Sequence, residues 1–176
     1  MSNMLKQFLI SKGLMAEPVA PKPTLKELLS KANLGGLKDT LKGALTKTPA
    51  VEAKTIEVEI LELINNHRLS LGLNPLAEMD VIKSVAYSHT DYMVDNDEVS
   101  HHNFFTRSNY LKSNAGAEKV SANVAFGYSS AESVVRAWIK SEAHKENLEG
   151  DFTNFDISAE KNEDGRWYYT NIFIKK

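Results

Sequence analysis

There is no cysteine anywhere in the 176 residues, and that absence constrains the fold more than any motif does. It excludes a disulfide scaffold, a thiolate zinc site and a cysteine nucleophile together. Whatever folds must be held by packing alone. A chain of this length can bury roughly 70% of the surface its unfolded form exposes, so a single core suffices. The redox compartment is not legible from a missing residue type. Hydrophobic residues at 42% and charged residues at 25% are ordinary globular usage and exclude wholesale disorder. A formal charge of -2 offers no whole-chain attraction to nucleic acid, and none is expected as a partner. No run approaches the roughly 18 apolar residues that a membrane-crossing helix needs. In the opening MSNMLKQFLISKGLM, Phe8-Leu9-Ile10 is too short for the core of a signal peptide, so no export signal is expected there.

The charge divides the chain. Residues 1–50 carry eight Lys against Glu17, Glu27 and Asp39, a net of about +5, which leaves about -7 for the rest. Four of the five prolines (Pro18, Pro21, Pro23 and Pro49) fall in the same stretch. We therefore expect residues 1–54 to be a basic tail or linker and 55–176 to be the folded domain. Within the tail, Leu25, Leu28, Leu29 and Ala32, then Leu34, Leu37, Leu41 and Leu45, recur at helical spacing on either side of Gly35-Gly36. Two short helices in a solvated tail are the favoured reading. A basic amphipathic segment that touches an anionic membrane surface or docks on the domain is the other.

From Thr55 the pattern becomes that of a core. Ile56, Ile60, Leu63, Ile64 and His67 predict a helix that ends at Gly72 and the Asn74-Pro75 turn. Asp80 is expected to N-cap a second, with Ile82, Val85, Ala86, His89 and Met93 on one face. Ser129 and Glu132 read as a capping box for a third, running on through Val134, Val135 and Trp138. Phe155, Ile157 and Ala159 alternate as in a strand, and Asn162 to Gly165 supplies a turn. Trp167, Tyr169, Asn171 and Phe173 then give the returning strand of an antiparallel hairpin. Helices followed by a hairpin predict an α+β or layered α/β/α domain.

Five histidines bear on chemistry. His67, near a helix end, is expected to meet free carbonyls, and His89, on an apolar face, to be a hydrogen-bonded core residue. His101 and His102 are neighbours in a loop, so at most one enters a given cleft. His144 lies just past Trp138 on the third helix. Two imidazoles from separate segments can clamp one divalent ion, with water or a carboxylate such as Glu142 completing the shell. No HExxH, G-x-S-x-G, G-x-G-x-x-G or P-loop pattern is present.

Along the chain stand, in order, Leu63-Ile64-Asn65-Asn66-His67-Arg68, Leu71-Gly72-Leu73-Asn74-Pro75-Leu76, Ala86 to Met93 and Ser100-His101. This series resembles the bacterial, SCP-like branch of the CAP superfamily, relatives of cysteine-rich secretory proteins, insect antigen 5 and plant pathogenesis-related proteins. The resemblance continues in Ser121-Ala122-Asn123-Val124-Ala125, Ala137 to Leu148, Phe152-Thr153-Asn154-Phe155 and Tyr168 to Phe173, covering about residues 56–174. It implies a three-layer α-β-α sandwich whose central cleft carries two His and two acidic residues, the His pair able to bind zinc or another divalent cation. By position, His101 and His144 match the two His. The glutamate of the family's Gly-Glu-Asn segment falls on Ala122, followed by Asn123. The acid that lies three residues after the Trp in animal and plant members falls on Ser141, next to Glu142.

A methyl group at Ala122 cannot accept a proton or hold a metal. The expected function is therefore a non-catalytic binding module that holds an apolar or peptide-like ligand, since family members are similar in binding sterols, fatty acids or proteins. A lipid or a protein partner follows from that. The alternative is a metal-dependent hydrolase of peptides or envelope polymers, with Glu142 activating a water on the His101/His144 ion. The resemblance implies an extracellular or cell-envelope location, and the unreadable export signal keeps a cytoplasmic one open.

Overall fold

The computed structural model describes residues 49–176. The expected tail helices at 25–45 lie outside the described residues. The first described helix, α1 (Pro49–Ser70), already covers residues 49–54, so the boundary drawn at 54/55 falls inside an element.

Helix α1 buries Ile56, Ile60, Leu61 and Ile64, a 3.6-residue stripe. It ends where the Leu73 N–H reaches back to the Arg68 carbonyl across Gly72, whose φ of 72° sits in the left-handed region. A two-residue strand β1 (Ala77–Glu78) follows. Helix α2 (Asp80–Asn96) buries Ile82, Val85, Ala86, His89, Thr90 and Met93, the expected face. Its N-cap is Met79, however, and Asp80 is the first helical residue, where a carboxylate favours the helix dipole instead of capping.

Helix α3 (Phe104–Ala115) and strand β2 (Lys119–Phe126) come next, neither of them expected from the sequence. Helix α4 (Ala131–Lys140) buries Ala131, Val134, Val135 and Trp138. Its capping box is Ser130 with Ser133, one residue beyond the expected Ser129 and Glu132. The helix stops at Ser141, whose extended backbone (φ -98°, ψ 117°) separates it from α5 (Glu142–Glu149). His144 thus belongs to a helix of its own and not to a continuation of α4. Strands β3 (Asn154–Lys161) and β4 (Trp167–Lys175) form the terminal antiparallel hairpin.

The sheet order is β1-β3-β4-β2, with β1 parallel to β3 and the other pairs antiparallel. Helices cover both faces. On one, α1, α4 and α5 pack Ile60, Ile64, Trp138 and Leu148 against Phe155, Tyr169 and Phe173. On the other, α2 and α3 pack Ile82, Ala86 and Leu111 against Ala122, Ile172 and Ile174. This is the three-layer α-β-α sandwich. Strand β4 is central, and Trp167 to Ile174 are buried throughout. Each such large side chain withdrawn from water contributes roughly 1.5–3 kcal/mol, which makes β4 the strand that unites the two cores.

Candidate functional site

Two segments from different layers converge beside the edge strand β2. The first is the loop after α2. His89 is 3% exposed, and its Nε2–H donates to the Ser100 carbonyl at 2.7 Å, so a core histidine anchors this loop from below. That agrees with its expected core role. Burial pushes its pKa down to about 4, with Arg107, His101 and His102 adding to the fall against the Ser100 bond. His102 turns aside and stacks on Tyr92 with ring centroids 4.8 Å apart. His101 is left to face the cleft.

The second segment is the α4–α5 junction. Helix α5 is tied at its far end by Arg68, whose Nη1 donates to the carbonyls of Leu148 and Gly150, both at 2.9 Å. His67 joins it by pairing with Glu149 at 2.9 Å, in place of the expected helix-end carbonyls. At the near end, fully buried Asn123 donates from Nδ2 to the His144 carbonyl at 3.0 Å. It also accepts from Asn147 Nδ2 at 2.8 Å. Asn147 Oδ1 in turn takes the Ser121 hydroxyl at 2.5 Å. The sheet therefore holds the backbone of His144 directly.

Between the segments lies a cleft of about 400 Å³ lined by Val99, His101, Phe126, Trp138, Ser141 and His144, among others. Ser141 Oγ lies 2.8 Å from His144 Nδ1. With the ring donating from Nδ1, Nε2 keeps the lone pair that a cation or a ligand proton needs. Burial lowers the His144 pKa. Partial burial lowers that of His101, followed by the charge of Arg107 and the nearby His144. Both rings are thus biased to the neutral, lone-pair-bearing form.

The remaining expected site residues stand elsewhere. Glu142 has its side chain 76% exposed and pairs with Lys145 at 2.9 Å, one helical turn along. Ala122 is buried in the core under α2 and α3, and Asn123 acts behind the wall of the cleft. The structure brings together His101, His144 and Ser141 and leaves Glu142, Ala122 and Asn123 out of the lining. Among the described residues no group of three or more His, Asp or Glu is placed to hold a metal ion. Two imidazoles are fewer than the three protein ligands of a catalytic zinc site or the four of a structural one. What the two rings offer, nitrogen lone pairs lining one cleft, leaves the rest of any ion's shell to water or a ligand.

Arg68 and Arg107 were not singled out by the sequence reading. An Arg four residues past the last apolar residue of a stripe gives no signal of its own. Arg107 donates to the His102 carbonyl, and burial pushes its pKa down to about 10. A second cavity, about 710 Å³, opens at the opposite edge of the sheet between α1 and α2, lined by Glu57, Lys83, Tyr87, Asp156 and Glu160 among others. It contains none of the histidines.

The chain is 28% identical over 146 residues to the uncharacterized membrane protein YlbC of Bacillus subtilis strain 168, covering 77% of this chain and 41% of that one. It is 28% identical over 128 residues to the uncharacterized protein YkwD of the same organism, covering 64% and 50%. The chain thus spans half or less of the length of these curated relatives. An extracellular, SCP-domain-containing protein from Bacillus anthracis strain Ames superposes with a TM-score of 0.63 at 27% identity, over 74% of this chain and 44% of that one. An outer surface protein of Borrelia burgdorferi shares the fold at a TM-score of 0.60 and 22% identity, over 80% of this chain and 96% of that one. No described helix is long and apolar enough to cross a membrane. The model of the family described as "CAP: Cysteine-rich secretory protein family" matches residues 61–173, the sandwich from the middle of α1 to the end of β4, and the chain belongs to that family.

Proposed function

We propose that this chain is a CAP-type binding module, without catalysis, whose cleft between His101 and His144 takes an apolar or peptide-like ligand. One observation carries the reading: among the described residues, no carboxylate lines the cleft with the two imidazoles. Ala122 occupies the position of the family glutamate, and Glu142 points to water, paired with Lys145. A hydrolase needs a base within hydrogen-bond reach of its water. Binding needs only shape, apolar walls and a few polar contacts.

The His pair offers two ligands to a divalent cation such as zinc, and when bound that ion supplies an electrophilic anchor for a ligand oxygen. Ser141 orients the His144 ring for this role. One solved relative, at 27% identity, is an extracellular protein. That supports an extracellular or cell-envelope location, where a lipid or another protein is the partner.

Incubation of the full chain and its Glu142→Gln variant with zinc, a casein peptide digest and purified peptidoglycan tests the reading. Equal, blank-level release of products by both is expected. Turnover by the parent that is lost in Glu142→Gln contradicts the proposal and restores the metal-dependent hydrolase.

A further inference from the structure

The two edges of the sheet are finished differently. Beyond Phe155, β3 has no strand on its outer side, but side chains of the neighbouring helices take two of its outward groups. Lys83 Nζ donates to the Ile157 carbonyl at 2.5 Å, and Glu57 Oε1 accepts from the Ala159 N–H at 2.8 Å. Glu57 and Lys83 also pair with each other at 2.5 Å. Two side chains thus stand where a neighbouring backbone would.

Strand β2 forms the other edge. The Gly127 N–H donates to the Trp167 carbonyl, which sets the phase of the ladder. Lys119, Ser121, Asn123 and Ala125 then bond to β4, while Ala122, Val124 and Phe126 turn their N–H and C=O groups outward. Long bonds of 3.4 Å reach the Ala122 carbonyl from Asn147 and the Val124 carbonyl from Trp138. Among the described residues, the outward N–H groups of Val124 and Phe126 and the Phe126 carbonyl meet no partner. Val124, Ala125 and Phe126 line the same cleft as His101 and His144. Around them Val99, Phe126 and Tyr128 are 38%, 44% and 37% exposed.

We propose that the cleft seats an extended polypeptide segment as an added β-strand on the Val124–Phe126 edge. This rests on the reading of the cleft as a binding site and names its ligand class. Residues i and i+2 of a strand present donor and acceptor about 6.8 Å apart, a spacing that another extended backbone matches and a lipid chain cannot. The apolar rim suits a segment with alternating apolar side chains. One row of them meets Val99 and His101, and the other meets Ala137, Ser141 and His144. Main-chain pairing supplies the affinity, and the two imidazoles read polar groups carried by the guest.

The test uses the ¹⁵N-labelled full chain with the blocked peptide acetyl-Val-Thr-Val-Thr-Val-amide. Two analogues are N-methylated, one on residues 1, 3 and 5 and the other on residues 2 and 4. An added strand pairs through one of its own edges only. Slowed hydrogen exchange at the Val124 and Phe126 amides is expected, with at least about a tenfold loss of affinity for one analogue and none for the other. If all three peptides bind equally and shift His101 and His144 while those two amides exchange as before, edge pairing is overturned and the cleft remains a binding site. If palmitate moves the cleft resonances and the peptide does not, edge pairing is again overturned in favour of a lipid ligand. If neither moves them, edge pairing and the binding reading fall together.

Discussion

His89 shows how a residue away from the cleft wall governs it. Its ring is withdrawn from water and donates a hydrogen bond to the carbonyl of Ser100, directly before His101. The folded pKa of about 4 lies below the ordinary 6.5, so between those values the unfolded chain is charged and the native ring is not. Stability contributed by the neutral ring is complete above pH 6.5 and is lost as pH falls towards 4, a total on the order of 3 kcal/mol. The His89→Gln variant keeps a donor and removes the charge. Its urea midpoint is therefore expected to fall less than the parent's between pH 6.5 and 4, and parallel curves for the two proteins would reject this assignment. Asn123 holds the other ring by its backbone. Asn123→Ala leaves the His144 carbonyl and the Asn147 amide short of partners inside the protein, at an expected cost of about 1–3 kcal/mol in urea unfolding at neutral pH. At this scale the apolar face of α2 made the core position of His89 legible, and the structure lines one cleft with His101 and His144, the two rings that the family resemblance singles out. The sequence could not place Glu142, since the break at Ser141 that turns this carboxylate outward depends on how α4 and α5 pack.

Elements with a strong apolar period were legible: the stripe of α2, the face of α4 and the final hairpin all stand as the spacing predicts. Strand β2 was not, because Lys119-Val120-Ser121-Ala122-Asn123 alternates small and polar residues, and Ser121 and Asn123 face a polar network under α5. Helix α3 was missed for a related reason, since its buried residues are only Ser108, Leu111 and Ala115. The capping box shifted by one residue because a Ser at either position offers the same hydroxyl, and only the tertiary entry angle selects Ser130. The covered edge of β3 gives a prediction at this scale. Replacing both Glu57 and Lys83 by Ala uncovers the Ile157 carbonyl and the Ala159 N–H, and an uncovered edge pairs with other chains. Size-exclusion chromatography with light scattering should show concentration-dependent self-association of the double variant and none of the parent. A strictly monomeric double variant would show that the Glu57–Lys83 pair does not guard the edge.

Across the whole molecule, the larger cavity and the histidine cleft sit at opposite edges of one sheet and respond to pH in opposite senses. Glu160 is raised to about 7 by burial first, then by Asp91, Glu57 and Asp95, against the pull of Lys83. A carboxyl with a raised folded pKa favours the native state when protonated, and that advantage is lost as pH rises from 4.5 through 7. Glu160→Gln should therefore raise the melting temperature at pH 8 and leave it unchanged near pH 4. A variant that melts no higher than the parent at pH 8 would contradict the burial assigned to this group. The His89 and Glu160 contributions therefore oppose one another between about pH 4.5 and 6.5. The three layers were readable from the order of helices and strands and from the family resemblance, which also placed His101 and His144 in one cleft; the rest of its lining was not readable, because the cleft is assembled from a loop of one layer and a helix junction of the other. Its unity is the central claim, and calorimetric titration of zinc into the full chain, His101→Ala and His144→Ala tests it most directly. One ion bound in the micromolar range by the parent and lost in both variants is the predicted result. Binding that survives in either variant, or a parent that binds no zinc, would contradict it.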